Sequence, residues 1–87
     1  MIENALEVRK ETKTIKTTIG KFLEALDIAG YTVYKQRCKE ELERIGYTED
    51  IELSLHAILI KIGNMFRSEE DWYSGRLDLE LIKALKG

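Results

Sequence analysis

The stretch LDIAGYT, residues 26–32, returns sixteen positions later as LERIGYT, residues 42–48. How this pair is read decides the fold. A helix commonly ends on a glycine in the left-handed conformation, and the apolar residue after it folds back onto the last turn. Gly30 and Gly46 supply the glycine, Tyr31 and Tyr47 the residue after it, and Leu26 and Leu42 the surface it meets. Thr32 and Thr48 then stand where a new helix takes its N-cap. The flanks add only Glu24 with Glu40 and the acidic pair Asp27 with Glu43. The echo therefore reads as punctuation, one helix stopping and the next starting, and not as a duplicated functional unit.

Upstream of the first corner, Ala5, Val8, Thr12, Ile15, Ile19, Phe22, Leu26 and Ala29 fall at alternating spacings of three and four. That is the apolar stripe of one long helix over residues 1–29. Thr12 and Ile19 take a positions and Val8, Ile15 and Phe22 take d positions. Glu11 and Lys16 then pair across the seam of a parallel two-stranded coiled coil. Thr17, Thr18 and Gly20 weaken the middle of this helix, so a break near Thr17 is the alternative.

Downstream, the pattern predicts a second helix from Thr32 to Ile45 with Tyr34, Cys38, Leu42 and Ile45 inward. A third runs from Thr48 to about Phe66, opening with Glu49, Asp50 and Glu52, which suit the positive end of a helix dipole. Ile51, Leu55, Ile58, Ile62 and Met65 form its stripe, and Leu59 and Phe66 widen it, which marks it as the central element. IELSLHA and RLDLEL also alternate with period two, so strand is the competing reading at both places. Ser68 to Asp71 resembles a helix-starting box ahead of Trp72 and Tyr73. Ser74-Gly75-Arg76 then separates a last helix carrying Leu77, Leu81, Ile82 and Leu85. The expected fold is all-α: one domain over residues 1–87, a compact bundle of four to five helices with a long N-terminal helix and tight Gly-Tyr-Thr corners.

Composition agrees. The 87 residues are 44% apolar and 34% charged and include no proline, the residue that continuous helices avoid. The net charge is −2, with nine Lys/Arg against eight Asp/Glu in residues 1–47 and five against eight in residues 48–87. Halves of +1 and −3 are too mild to call for a polyanion partner. A single cysteine rules out an intramolecular disulfide. MIENALEVRK lacks the basic-then-apolar order of a signal peptide. Residues 51–62, the most apolar run, contain Glu52, His56 and Lys61 and are too short to span a bilayer. A cytoplasmic protein without a membrane segment is expected.

Convergent chemistry is scarce. His56, the sole histidine, has Glu52 one turn earlier but no third ligand for a metal, and reads as a histidine at the edge of a buried helix. Cys38 and His56 lack the local signature of a nucleophile and its base. The carboxylates of TED and SEED stand where helices begin. The expectation is a protein that is not an enzyme, with no metal, no cofactor and no small-molecule substrate.

Protein binding is the expected role: an adaptor, regulator or inhibitor of the kind phages and mobile elements carry, acting on a partner or as a homodimer. Val8, Ile15 and Ile19 on the first stripe, with Trp72 and Tyr73 near a corner, are the candidate contact residues. The alternative is nucleic acid, because residues 17–39 resemble a helix-turn-helix unit in outline. Phe22, Leu26, Ile28 and Val33 would pack inside, and Tyr31, Thr32, Tyr34, Lys35, Arg37 and Lys39 would face a major groove. Asp27 and Gln36 depart from that pattern, and Glu40, Glu41 and Glu43 follow closely. An acidic decoy surface over residues 48–52 and 69–71 is a third reading.

Overall fold

The computed structural model describes residues 10–87, and it is mostly helical. Residues 10–12 are helical, and the chain then turns, with both the N–H and the hydroxyl of Thr14 donating to the Glu11 carbonyl at 3.0 and 2.9 Å. Strand β1, Lys16–Thr18, follows and pairs antiparallel with β2, Glu52–Ser54, in the register Lys16 with Ser54, Thr17 with Leu53 and Thr18 with Glu52. Beyond the ribbon the ladder continues: the Ile19 N–H donates to Ile51 O at 3.0 Å and the Leu55 N–H to Ile15 O at 2.8 Å.

Each strand runs directly into a helix. Thr18 caps α1, Ile19–Ile28, by accepting from the Lys21 N–H at 3.2 Å. Ser54 caps α3, Leu55–Ile62, by accepting from the Ala57 N–H at 3.1 Å. The two strand–helix units correspond position by position. Ile19, Phe22, Leu23 and Leu26 are buried in the first, and Leu55, Ile58, Leu59 and Ile62 in the second.

This ribbon corrects two boundaries. The long N-terminal helix is not continuous, because residues 13–18 leave the helix and β1 takes its place. Stiff β-branched Thr17 and Thr18 gain ladder bonds and a cap there that a helix would deny them. Ala5 and Val8 lie outside the described residues. The third helix begins at Leu55 and not at Thr48. Thr48 donates from its hydroxyl to Asp50 Oδ1 at 2.6 Å within a turn, and the period-two pattern of IELSLHA decides its first residues. RLDLEL, by contrast, is helical.

Both glycine corners form. At Gly30 (φ +92°) the N–H donates to Asp27 O at 3.1 Å, and the Tyr31 N–H to Leu26 O at 2.8 Å. At Gly46 (φ +93°) the matching bonds reach Glu43 O at 3.0 Å and Leu42 O at 2.8 Å. The first corner leads straight into α2, Thr32–Arg44, with Tyr31 rather than Thr32 at the N-cap position. The second leads into β2 instead of a helix.

After α3 a 3-10 turn, Gly63–Phe66, tightens the helix end, and α4, Glu70–Ser74, and α5, Arg76–Lys86, close the chain. The box expected over Ser68–Asp71 does not form, since Glu69 holds the N-cap position without a side-chain bond. Helix α1 packs against both α2 and α5, and α2 packs against α3. Phe22, Leu26, Leu42, Ile58, Phe66 and Leu81 are fully buried between them. Ile45, expected inward, is 38% exposed, because α2 ends at Arg44 before turning that residue to the core.

Candidate functional site

The helical period of α3 sends Ile58 and Ile62 to the core, buries Leu59 beside them and leaves Ile60 67% exposed. Leu59 and Ile60 floor a groove of about 610 Å³ together with Gly63 and Trp72. Gly63 matters here for space: a Cβ at that position would lie 2.8 Å from Trp72 Cη2. The benzo edge of the indole therefore sits close against Gly63 just past the end of α3, its ring centroid 6.1 Å from that of Phe66 and nearly parallel to it. Of this floor Ile60 is the exposed part, while Leu59 and Gly63 are buried and Trp72 is half-buried.

The rim is basic. Lys10, Lys13 and Arg67 are exposed around the groove, with half-buried His56 and exposed Asn64 between them. Among the described residues Asp78, 5% exposed, is the one carboxylate that lines it. Among the described residues, ion pairs engage Lys35, Lys39, Arg44, Lys83 and Lys86, and none engages Lys10, Lys13 or Arg67.

Of the contact residues expected from sequence, Trp72 lines this groove and the others do not. Ile19 is 1% exposed within the core and Ile15 is half-buried against it, so the stripe they mark is internal beyond residue 13. That corrects Ile19 as a contact residue. Tyr73 is 62% exposed outside the groove lining, and Val8 lies outside the described residues. Ile60, Lys13 and Arg67 were not singled out. The signal for Ile60 was present in the apolar character of α3 on nearly every side.

The residues of the helix-turn-helix alternative are arranged differently from what a DNA face needs. Val33 is 80% and Ile28 70% exposed, whereas the motif packs both inside. Tyr31 is buried, and Tyr34 donates its hydroxyl to Glu69 Oε2 while its ring sits 4.7 Å from that of Phe66. Lys35 Nζ bonds Asp27 Oδ2 at 2.6 Å, and this bond holds the Asp27 carboxyl below the usual carboxylate range. Lys39 faces Glu49 at 3.9 Å, and Arg37 is exposed. The hollow beside them is lined by Lys21, Lys35 and Lys39 and equally by Glu24, Glu49 and Asp50. A phosphate backbone would meet as many anions as cations there.

Of the acidic decoy residues 48–52 and 69–71, Glu69 and Asp71 accept hydrogen bonds from the Tyr34 and Tyr31 hydroxyls, while Glu49, Asp50, Glu52 and Glu70 are exposed. Cys38 is fully buried 3.8 Å from Met65 Sδ, and burial pushes its thiol up to about 12, far from a reactive thiolate. Among the described residues, no three His, Cys, Asp or Glu side chains gather to hold a metal ion. Nor is any helix among them long and apolar enough to cross a membrane. Comparison with protein-family models, with curated proteins and with solved structures finds no match to this chain.

Proposed function

We propose that this chain is a non-enzymatic cytoplasmic protein that acts by binding another protein, as an adaptor, regulator or inhibitor, and that the groove beside α3 is its contact surface. One observation carries the reading: Ile60 is 67% exposed on an open apolar floor that also contains Leu59 and Trp72. Covering that floor removes apolar area from water at about 25 cal/mol per Å² before ordering costs. A helix with anchors every three or four residues is a common occupant of such a groove. The burial of Cys38 supports a role without thiol chemistry.

The test is site-specific photo-crosslinking in cells that make the protein. A crosslinking amino acid replaces Asn64 at the rim, and the same amino acid at Val33 is the control. A discrete protein adduct formed from position 64, absent from position 33 and lost in an Ile60→Asp background, is the expected result. Absence of any position-specific adduct would remove the groove as a protein-binding site.

A further inference from the structure

We infer that the groove beside α3 takes an acidic amphipathic segment of a partner protein, whose apolar residues seat on Leu59, Ile60 and Trp72 while its carboxylates meet Lys10, Lys13 and Arg67. The inference rests on the proposed protein-binding role and names the chemistry of the occupant. Its basis is the separation of charge on this molecule. The whole chain carries a net charge of −2. Yet among the described residues the groove lining has three cations, Lys10, Lys13 and Arg67, against the single buried carboxylate of Asp78.

Five cations elsewhere on the chain are already paired. Lys35, Lys39, Arg44, Lys83 and Lys86 are each matched to a carboxylate of the same chain. Among the described residues Lys10, Lys13 and Arg67 have no such match, which holds for Lys16, Lys21, Arg37 and Arg76 as well, and what sets the three apart is that they gather round one groove. A rim of unmatched cations around an apolar floor repels a basic partner and steers an acidic one.

Geometry favours an extended occupant over a single small anion. Lys10 and Lys13 come from the helical turn before β1, and Arg67 from the opposite end of the chain's middle, just past the 3-10 turn. Charges set at separate points suit a ligand with several carboxylates along its length. The apolar floor between them asks for side chains as well, which a bare polyanion does not offer. An acidic helix with apolar residues at three- and four-residue spacing supplies both.

The test is selection from a displayed random peptide library on the immobilised full chain, with the Ile60→Asp variant for counter-selection. Ile60 is exposed, so this variant keeps the fold, which circular dichroism verifies. Enriched sequences that combine net negative charge with spaced apolar residues are expected. Their binding should weaken by about tenfold in a Lys13→Glu, Arg67→Glu double variant, and should recover with a peptide whose carboxylates are changed to lysines. Enriched peptides that are neutral or basic would overturn the acidic assignment and leave the protein-binding role standing. No enrichment over the counter-selection would overturn both. Displacement of the selected peptide by single-stranded nucleic acid would reassign the groove to polyanions. A dimer in light scattering that Ile60→Asp dissolves would assign it to a second copy of this chain.

Discussion

The Tyr31 hydroxyl donates to Asp71 Oδ2 at 2.8 Å, joining the corner between α1 and α2 to helix α4, forty residues further along the chain. The same residue closes the end of α1 through its N–H and stands at the N-cap position of α2. Tyr34 makes a second link of the same kind to Glu69. Together they hold α4, and with it Trp72, against the bundle. Tyr31→Phe is expected to cost about 2 kcal/mol in urea unfolding, since Asp71 loses a donor in a partly desolvated site. The exposed Tyr73→Phe should change nothing measurable.

Alkaline pH tests the same link. Burial first, and then the bond to Asp71, raise the Tyr31 phenol above its ordinary value of 10.0. The folded state therefore holds this proton more tightly than the unfolded chain does. The stability it contributes is complete below pH 10.0 and is lost as pH rises from there through the folded value. Unfolding measured across that range should show a decline that Tyr31→Phe flattens.

The two corner glycines and the two strand–helix caps give separable losses. Gly30→Ala and Gly46→Ala force a side chain into the left-handed region at φ +92° and +93°, and each should cost about 1–2 kcal/mol. No atom lies within 4 Å of either added Cβ, so the loss is conformational and not steric. Thr18→Ala and Ser54→Ala remove the caps of α1 and α3 and should each cost about 1 kcal/mol. Denaturant midpoints with unchanged slopes are the measurement.

Ile19→Asp and Ile60→Asp should behave oppositely. Ile19 is 1% exposed, and a carboxylate there has no partner to offset desolvation. A loss on the order of 4 kcal/mol or more would unfold a domain of ordinary stability. Ile60→Asp should stay within about 0.5 kcal/mol of the parent and affect binding alone. Thermal melts with a parallel binding assay separate the two.

Cys38 should resist alkylation by iodoacetamide at neutral pH until the protein unfolds, because burial both raises its thiol to about 12 and bars access. A modification rate that follows global unfolding across a urea series is the expected outcome.

A random-sequence duplex should show no steep salt-dependent binding between ~50 and ~200 mM salt, and Lys35→Ala with Arg37→Ala should leave the titration unchanged. Fluorescence anisotropy of the labelled duplex measures this. The Asp27–Lys35 bond and the carboxylates that share the Lys39 hollow are the reason.

The two corners were fully legible in sequence, because a left-handed glycine, the tyrosine after it and the leucine it folds onto lie within six consecutive residues. The stripes of α1 and α3 were legible for the same reason, since side-chain period is a local property, whereas RLDLEL carried both periods and left residues 76–81 open between helix and strand. What local pattern did not decide was the identity of residues 13–18 and 51–54. Thr17 and Thr18 sit within a helical stripe as readily as they make a strand, and Ile51 and Leu55 belong to both periods. Pairing between segments far apart in the chain settled it, by giving their N–H and C=O groups partners across the ribbon.

The groove was less legible than the fold. Trp72 was singled out as an aromatic near a corner, but its neighbour Tyr73 turned away from the groove, and Ile19 turned out to serve the core. Lys10, Lys13, Arg67 and Ile60 are scattered over some fifty residues of sequence, and no spacing rule links them. The sequence by itself determined where helices stop and which faces are apolar, because capping and periodicity act over one or two turns. Only the tertiary structure decided which apolar residues stayed exposed and which cations met a carboxylate among the described residues, because both depend on what packs beside them.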